Sequence, residues 1–199
     1  LGDVYKRQDL IMLVTTRSGT SNRLERDNLT NASTNCFTVR DKTTKRAILF
    51  LFQDKHGNNN AVVILKDFTI YKINIETSDE YYYGSIFDTS YTPEKICIYD
   101  TFSICGKKIN RDTYLDRLQE AETFKHNINS SSIEITTTEY SHSINNYKEK
   151  FRDTDEIFMV PNDLPIITGV NYSCFKWKPC NLITFSLLAK EEKEDIQLY

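Results

Sequence analysis

The chain has 199 residues, 39% of them hydrophobic, with a formal net charge of -3 and a mean hydropathy of -0.50. That length holds one domain with a true core, and the slight acidity argues against a protein that coats long stretches of nucleic acid while leaving room for a local cationic pocket. No run approaches the ~18 apolar residues of a membrane span, so no membrane partner is expected.

The first eight residues, Leu1-Gly2-Asp3-Val4-Tyr5-Lys6-Arg7-Gln8, look like a translated adapter or cloning scar and are set apart from the fold. The natural N-terminus is expected to be missing. Arg46 to Gln53 is an apolar run, followed by the polar turn Asp54 to Asn60 and by β-branched and aromatic stretches at Ala61 to Lys66 and Phe68 to Asn74. Together they read as a hairpin or meander. Tyr82 to Asp88 and Lys95 to Ser103 continue the strand pattern. Gly106 to Asn110 reads as a turn into a helix over Arg111 to Phe124, where Tyr114, Leu115, Leu118, Ala121 and Phe124 recur near the helical period. Residues 126 to 150 are polar, with room for a strand at Ile133 to Thr137 and a helix at Ile144 to Phe151. Strands are expected at Ile157 to Val160, Ser173 to Lys178 and Asn181 to Leu188, and the charged tail Lys190 to Asp195 reads as solvated or helical. The fold class is therefore α+β, built on a largely antiparallel sheet.

Five cysteines (Cys36, Cys97, Cys105, Cys174, Cys180) are odd in number and form no CxxC pair. They fit reduced thiols of an intracellular protein. His56, His126 and His142 are not at ligand spacing, so no zinc site is expected. The segment Phe175-Lys176-Trp177-Lys178-Pro179 carries the most chemistry. Successive side chains of a strand point to opposite faces, so both ammonium groups share one side and the indole takes the other. Such a pair suits a triphosphate; the alternative is an edge strand that uses Lys against aggregation.

Pro165 to Gly169 leads into that pair, and Asn181 to Phe185 follows it. Upstream, Ile98-Tyr99-Asp100-Thr101-Phe102 runs to Gly106-Lys107, then to Tyr114-Leu115-Asp116-Arg117-Leu118. Their order and spacing resemble the nucleotidyltransferase domain of mRNA capping enzymes, relatives of ATP-dependent DNA ligases, over residues 17 to 188. The Lys-Trp-Lys-Pro version resembles capping enzymes more than ligases, and the divergence suits a large DNA virus or a protist. The resemblance implies two sheets flanking a nucleotide cleft, a DNA ligase-like (ATP-grasp-like) domain over residues 9–188, and a following OB-fold of which 189–199 is the charged start. It implies guanylyltransfer: a lysine attacks GTP, pyrophosphate leaves, and GMP passes from the lysine to the 5′-diphosphate end of RNA. The family's Lys-x-Asp-Gly-x-Arg corresponds to Arg40-Asp41-Lys42-Thr43-Thr44-Lys45-Arg46, one residue short and without Asp-Gly. Lys42 is the implied nucleophile, with Lys45 second. Arg46, Phe102, Lys176 and Lys178 are the implied nucleotide-binding residues, Phe102 by stacking on the purine. Asp155 and Asp88 are the implied ligands of Mg²⁺ or Mn²⁺. Ser90 stands where the family has a Glu, and Glu156 where it has a Gly. The implied place is the nucleus, or a viral factory or virion. Two alternatives stay open: a catalytically degenerate binding or scaffold module, and an ATP-dependent polynucleotide ligase.

Overall fold

The computed structural model describes residues 22–23, 35–41, 43–143, 155–166, 174–177, 189–192 and 195–198. In chain order the strands are β1 (Asn22–Arg23), β2 (Asn35–Asp41), β3 (Lys45–Gln53), β4 (Asn59–Leu65), β5 (Ile70–Ile73), β6 (Ile75–Glu76), β7 (Ser85–Tyr91), β8 (Lys95–Ile104) and β9 (Lys107–Lys108). After helix α1 (Tyr114–His126) come β10 (Ser130–Ser131), β11 (Glu134–Thr137), β12 (Tyr140–Ser141), β13 (Asp155–Pro161), β14 (Phe175–Trp177), β15 (Ala189–Glu192) and β16 (Asp195–Leu198). The larger sheet runs β11-β8-β7-β3-β4-β5, with β9 folded back on β8; the smaller runs β1-β14-β13-β2-β12. Pairing is antiparallel except for β11 beside β8 and β1 beside β14. Among the described residues the protein is thus mostly antiparallel sheet with one α-helix, and no described helix is long and apolar enough to cross a membrane.

The larger sheet holds the core because its central strand is apolar on both faces. Ala47, Leu49 and Leu51 of β3 point to one side, where Ala121 and Phe124 of α1 pack with Phe87, Ile96 and Ile98. Ile48 and Phe50 point to the other, against Ile64, Ile86, Phe102 and Ile166. Burying both faces explains why β3 reads as a continuous apolar run and not as an alternation.

Several boundaries differ from the sequence reading, each for a local reason. The expected strand from Tyr82 begins only at Ser85. Asp79–Tyr83 forms a 3₁₀ turn ended by Gly84, whose φ of 118° lies in the left-handed region open to glycine. The helix starts at Tyr114, three residues later than its period suggests. Thr113 caps it, accepting from the Asp116 amide at 3.2 Å and donating to the Asp116 carboxylate at 2.6 Å. Asn162, just beyond β13, takes the next free donors: the Tyr114 amide bonds its carbonyl at 2.7 Å and the Leu115 amide its side-chain oxygen at 2.9 Å. The tail, read as solvated or helical, is instead a strand pair, β15 with β16. The expected helix at 144–151 and strand at 181–188 lie outside the described residues.

Candidate functional site

β2 was not expected as a strand, yet it supplies the side chain on which the site is built. Its register with β13 sets Glu156 opposite Arg40 and Phe158 opposite Thr38, and β14 sets Lys176 opposite Phe158. By the two-residue period, Thr38, Arg40, Glu156, Phe158 and Lys176 share one face of the smaller sheet. Arg40 reaches from that face to the larger sheet. Its guanidinium carbon lies 4.4 Å from the ring centre of Tyr99 on β8 and 4.9 Å from that of Phe158, within cation–π range. One of its nitrogens donates to Asp88 on β7 at 3.4 Å.

Asp88 is fully buried and faces a second guanidinium. Arg46, at the start of β3, donates to both Asp88 oxygens at 3.4 Å. β3 and β7 are adjacent strands with Arg46 opposite Ser90 and Ile48 opposite Asp88, so Arg46 and Asp88 meet diagonally. A carboxylate between two arginines fixes both cations. Beside it, the Ser90 hydroxyl bonds the Tyr99 phenol at 3.3 Å. On the smaller sheet Lys176 pairs with Glu156, and its ammonium lies 5.7 Å from the Phe158 ring centre. Three cations, two carboxylates and two aromatic rings therefore gather where the sheets meet.

Of the sequence candidates, Arg46, Asp88 and Lys176 fall in this cluster. Phe102 does not present a face to it; the ring is fully buried among Ile48, Phe50, Ile86 and Ile166, and the rings beside the cations are Tyr99 and Phe158. Asp155 lies in β13 opposite Asp41. Lys42 and Lys178 lie outside the described residues, and Lys45 is exposed at the start of β3. A divalent cation at Asp88 does not fit what surrounds it. Two guanidinium groups already face its oxygens, and among the described residues no three His, Cys, Asp or Glu side chains gather to hold a metal. Asp88 is the anchor of Arg40 and Arg46. Arg40, Tyr99 and Phe158 were missed as site residues. The usable signal was parity: once Asn35–Asp41 is a strand, Arg40 shares a face with Thr38.

Burial pushes the Tyr99 phenol from 10 up to about 12, with the Cys97 charge adding and the Ser90 bond and Arg40 opposing. The neutral phenol is thus preferred by the folded state. Its contribution to stability is complete below pH 10, the unfolded value, and is lost as pH rises through about 12. Urea unfolding from pH 9 to 11.5 is expected to show a steeper loss of stability in the wild type than in Tyr99→Phe. Equal slopes would remove Tyr99 as the cause.

Comparison with protein-family models finds no match for this chain, and no curated protein matches it.

Proposed function

We propose that this chain is the nucleotidyltransferase domain of an mRNA guanylyltransferase, with the two-sheet, DNA ligase-like fold. The observation that carries the reading is the convergence of Arg40 and Arg46, Lys176, and the Tyr99 and Phe158 rings at the meeting of the two sheets. The cations are suited to phosphates and the partly exposed Phe158 ring to a base, while the buried Tyr99 ring backs Arg40; they come from the segments whose order resembles the family's.

In the proposed reaction, the neutral Lys42 amine attacks the α-phosphorus of GTP. A P–N bond forms, the P–O bond to the β-phosphate breaks, and pyrophosphate takes the electron pair. A terminal oxygen of the RNA 5′-diphosphate then attacks the same phosphorus and frees the lysine. Arg46 and Lys176, with Lys178, neutralise charge building on the phosphates. Asp88 holds Arg46 and Arg40 in position for that task. A lysine that must lose its proton benefits from nearby cations, which lower its pKa.

Incubation with α-labelled GTP and Mg²⁺ or Mn²⁺ is expected to give a denaturation-stable protein–GMP adduct. Lys42→Ala is expected to abolish it. An adduct with ATP alone would make the chain a polynucleotide ligase. No adduct with either nucleotide would sink the transfer reading.

One observation favours a second reading, a module that binds nucleotide ends without transferring them. Asp88, the acid that the resemblance gives to the metal, is taken by two arginines. For such a module, GTP binding survives Lys42→Ala and is lost in Arg46→Ala, with no adduct at any stage.

A further inference from the structure

Next to the Arg40 site, a cavity of about 1060 Å³ opens between the turn after β2, the β7–β8 hairpin, the end of α1 and β11. Its walls carry many hydroxyls, and the protons of five threonines are already committed. The Thr43 hydroxyl donates to the Asp41 carboxylate at 2.6 Å and that of Thr44 to the Asp41 carbonyl at 2.7 Å. Thr136 donates to the Ile96 carbonyl at 3.4 Å, Thr138 to the Glu139 carbonyl at 3.2 Å, and Thr137 to the Glu122 carboxylate. Carbonyls and carboxylates only accept, so each of these five hydroxyls must spend its hydrogen inward. What each offers to the cavity is an oxygen lone pair.

The charged groups lean the same way. Both lining lysines are paired, Lys95 with Glu134 at 3.5 Å and Lys125 with Glu122 at 3.0 Å. Burial alone would raise the Glu122 carboxyl, but bonds from Thr137 and Lys125 outweigh it and hold the group below its ordinary value. Glu139 also lines the cavity and is exposed. At the threonines and carboxylates the wall therefore accepts hydrogen bonds, while the two lysines remain donors among them. It is too dispersed for a single ion: among the described residues no three acid, His or Cys side chains come close enough to hold a metal. Val39 and Tyr140 also line the cavity.

We propose that this cavity binds a linear polyamine, whose ammonium groups meet the threonine and carboxylate oxygens and whose methylene spacers lie on the threonine methyls, Val39 and Tyr140. A polyamine alternates strong donors with short hydrocarbon links, the pattern of the wall. It supplies positive charge to the wall's carboxylates, Asp41, Glu122 and Glu139. The cavity shares Ser90 and Tyr99 with the surroundings of the Arg40 site, but polyamine binding does not require the nucleotide reading.

Spermidine titrated into the ¹⁵N-labelled protein at fixed ionic strength is expected to give saturable amide shifts at residues 43–44, 92 and 136–139. Thr43→Lys combined with Glu139→Lys, both at exposed positions, is expected to weaken binding at least tenfold with the remaining spectrum unchanged. An uncharged triol of the same length is expected not to bind. Shifts that never saturate, shifts centred elsewhere, equal affinity in the double variant, or binding of the triol would each overturn the proposal.

Discussion

Arg117→Met is expected to cost about 3–5 kcal/mol of stability, read from urea unfolding, because it breaks a buried ion pair and leaves a charge behind. Arg117 is 1% exposed in α1. It grips Asp100 of β8 with two bonds, Nε to Oδ1 at 2.8 Å and Nη2 to Oδ2 at 3.2 Å. Its remaining nitrogen donates to the Leu164 carbonyl at 3.1 Å and to that of Asp112. Removing the guanidinium strands a buried carboxylate and two carbonyls at once. Adding Asp100→Leu to Arg117→Met is expected to return part of the loss, since the buried carboxylate without its cation is then gone. A single-variant cost under about 1 kcal/mol would mean that water reaches Asp100 and that the pair is not truly buried. The Asp88 pairs differ in kind. Their contacts are all 3.4 Å, and Arg40 and Arg46 keep 20% and 33% of their side-chain exposure. The first ion pair binds helix to sheet; the second leaves two cations partly exposed.

Phe124→Ala is expected to cost about 3–5 kcal/mol as well, by leaving a cavity in a close-packed interior. Phe124 is fully buried. Its ring stacks on Phe87 with centres 4.7 Å apart and meets Tyr81 edge-on at 5.1 Å. Phe87 precedes Asp88 in β7, so the site's anchor is supported from behind by this contact. Phe124→Leu is expected to lose less, because most of the volume is kept. If alanine costs no more than leucine, the space collapses without leaving a cavity.

What was legible in the sequence follows the range of the forces involved. The β3–β4 hairpin could be read because two apolar runs flank a polar Gly-containing turn. Helix α1 could be read because its apolar period survives, although its start is set by the Thr113 cap. The breaks at Gly84 and at Phe68, whose φ is 64°, depend on single residues leaving the extended region, and periodicity does not register them. β2 escaped notice because Asn35–Asp41 is mixed in character, and it is a strand through its pairing with β12 and β13, both more than a hundred residues away in sequence. The site was half legible for the same reason. Lys176 and Arg46 stand in motifs that can be read locally. Arg40 enters only when two sheets bring it to Asp88 and Tyr99, and no local pattern encodes that meeting. Phe102 shows the reverse error: an aromatic in a motif position that the larger sheet spends on its own packing.

The pairing of β2 also bears on how the chain is made. Strands β3 to β11 of the larger sheet, together with α1, lie within one continuous stretch from Lys45 to Thr137. That stretch holds every strand partner of the larger sheet, so it can pair without β2. β2 is synthesised before all of it, but its described neighbours, β12 and β13, emerge only afterwards. β2 therefore waits, unpaired, for β12 and β13. During that interval β2 exposes a strand edge, the period in which a nascent chain is most open to wrong association.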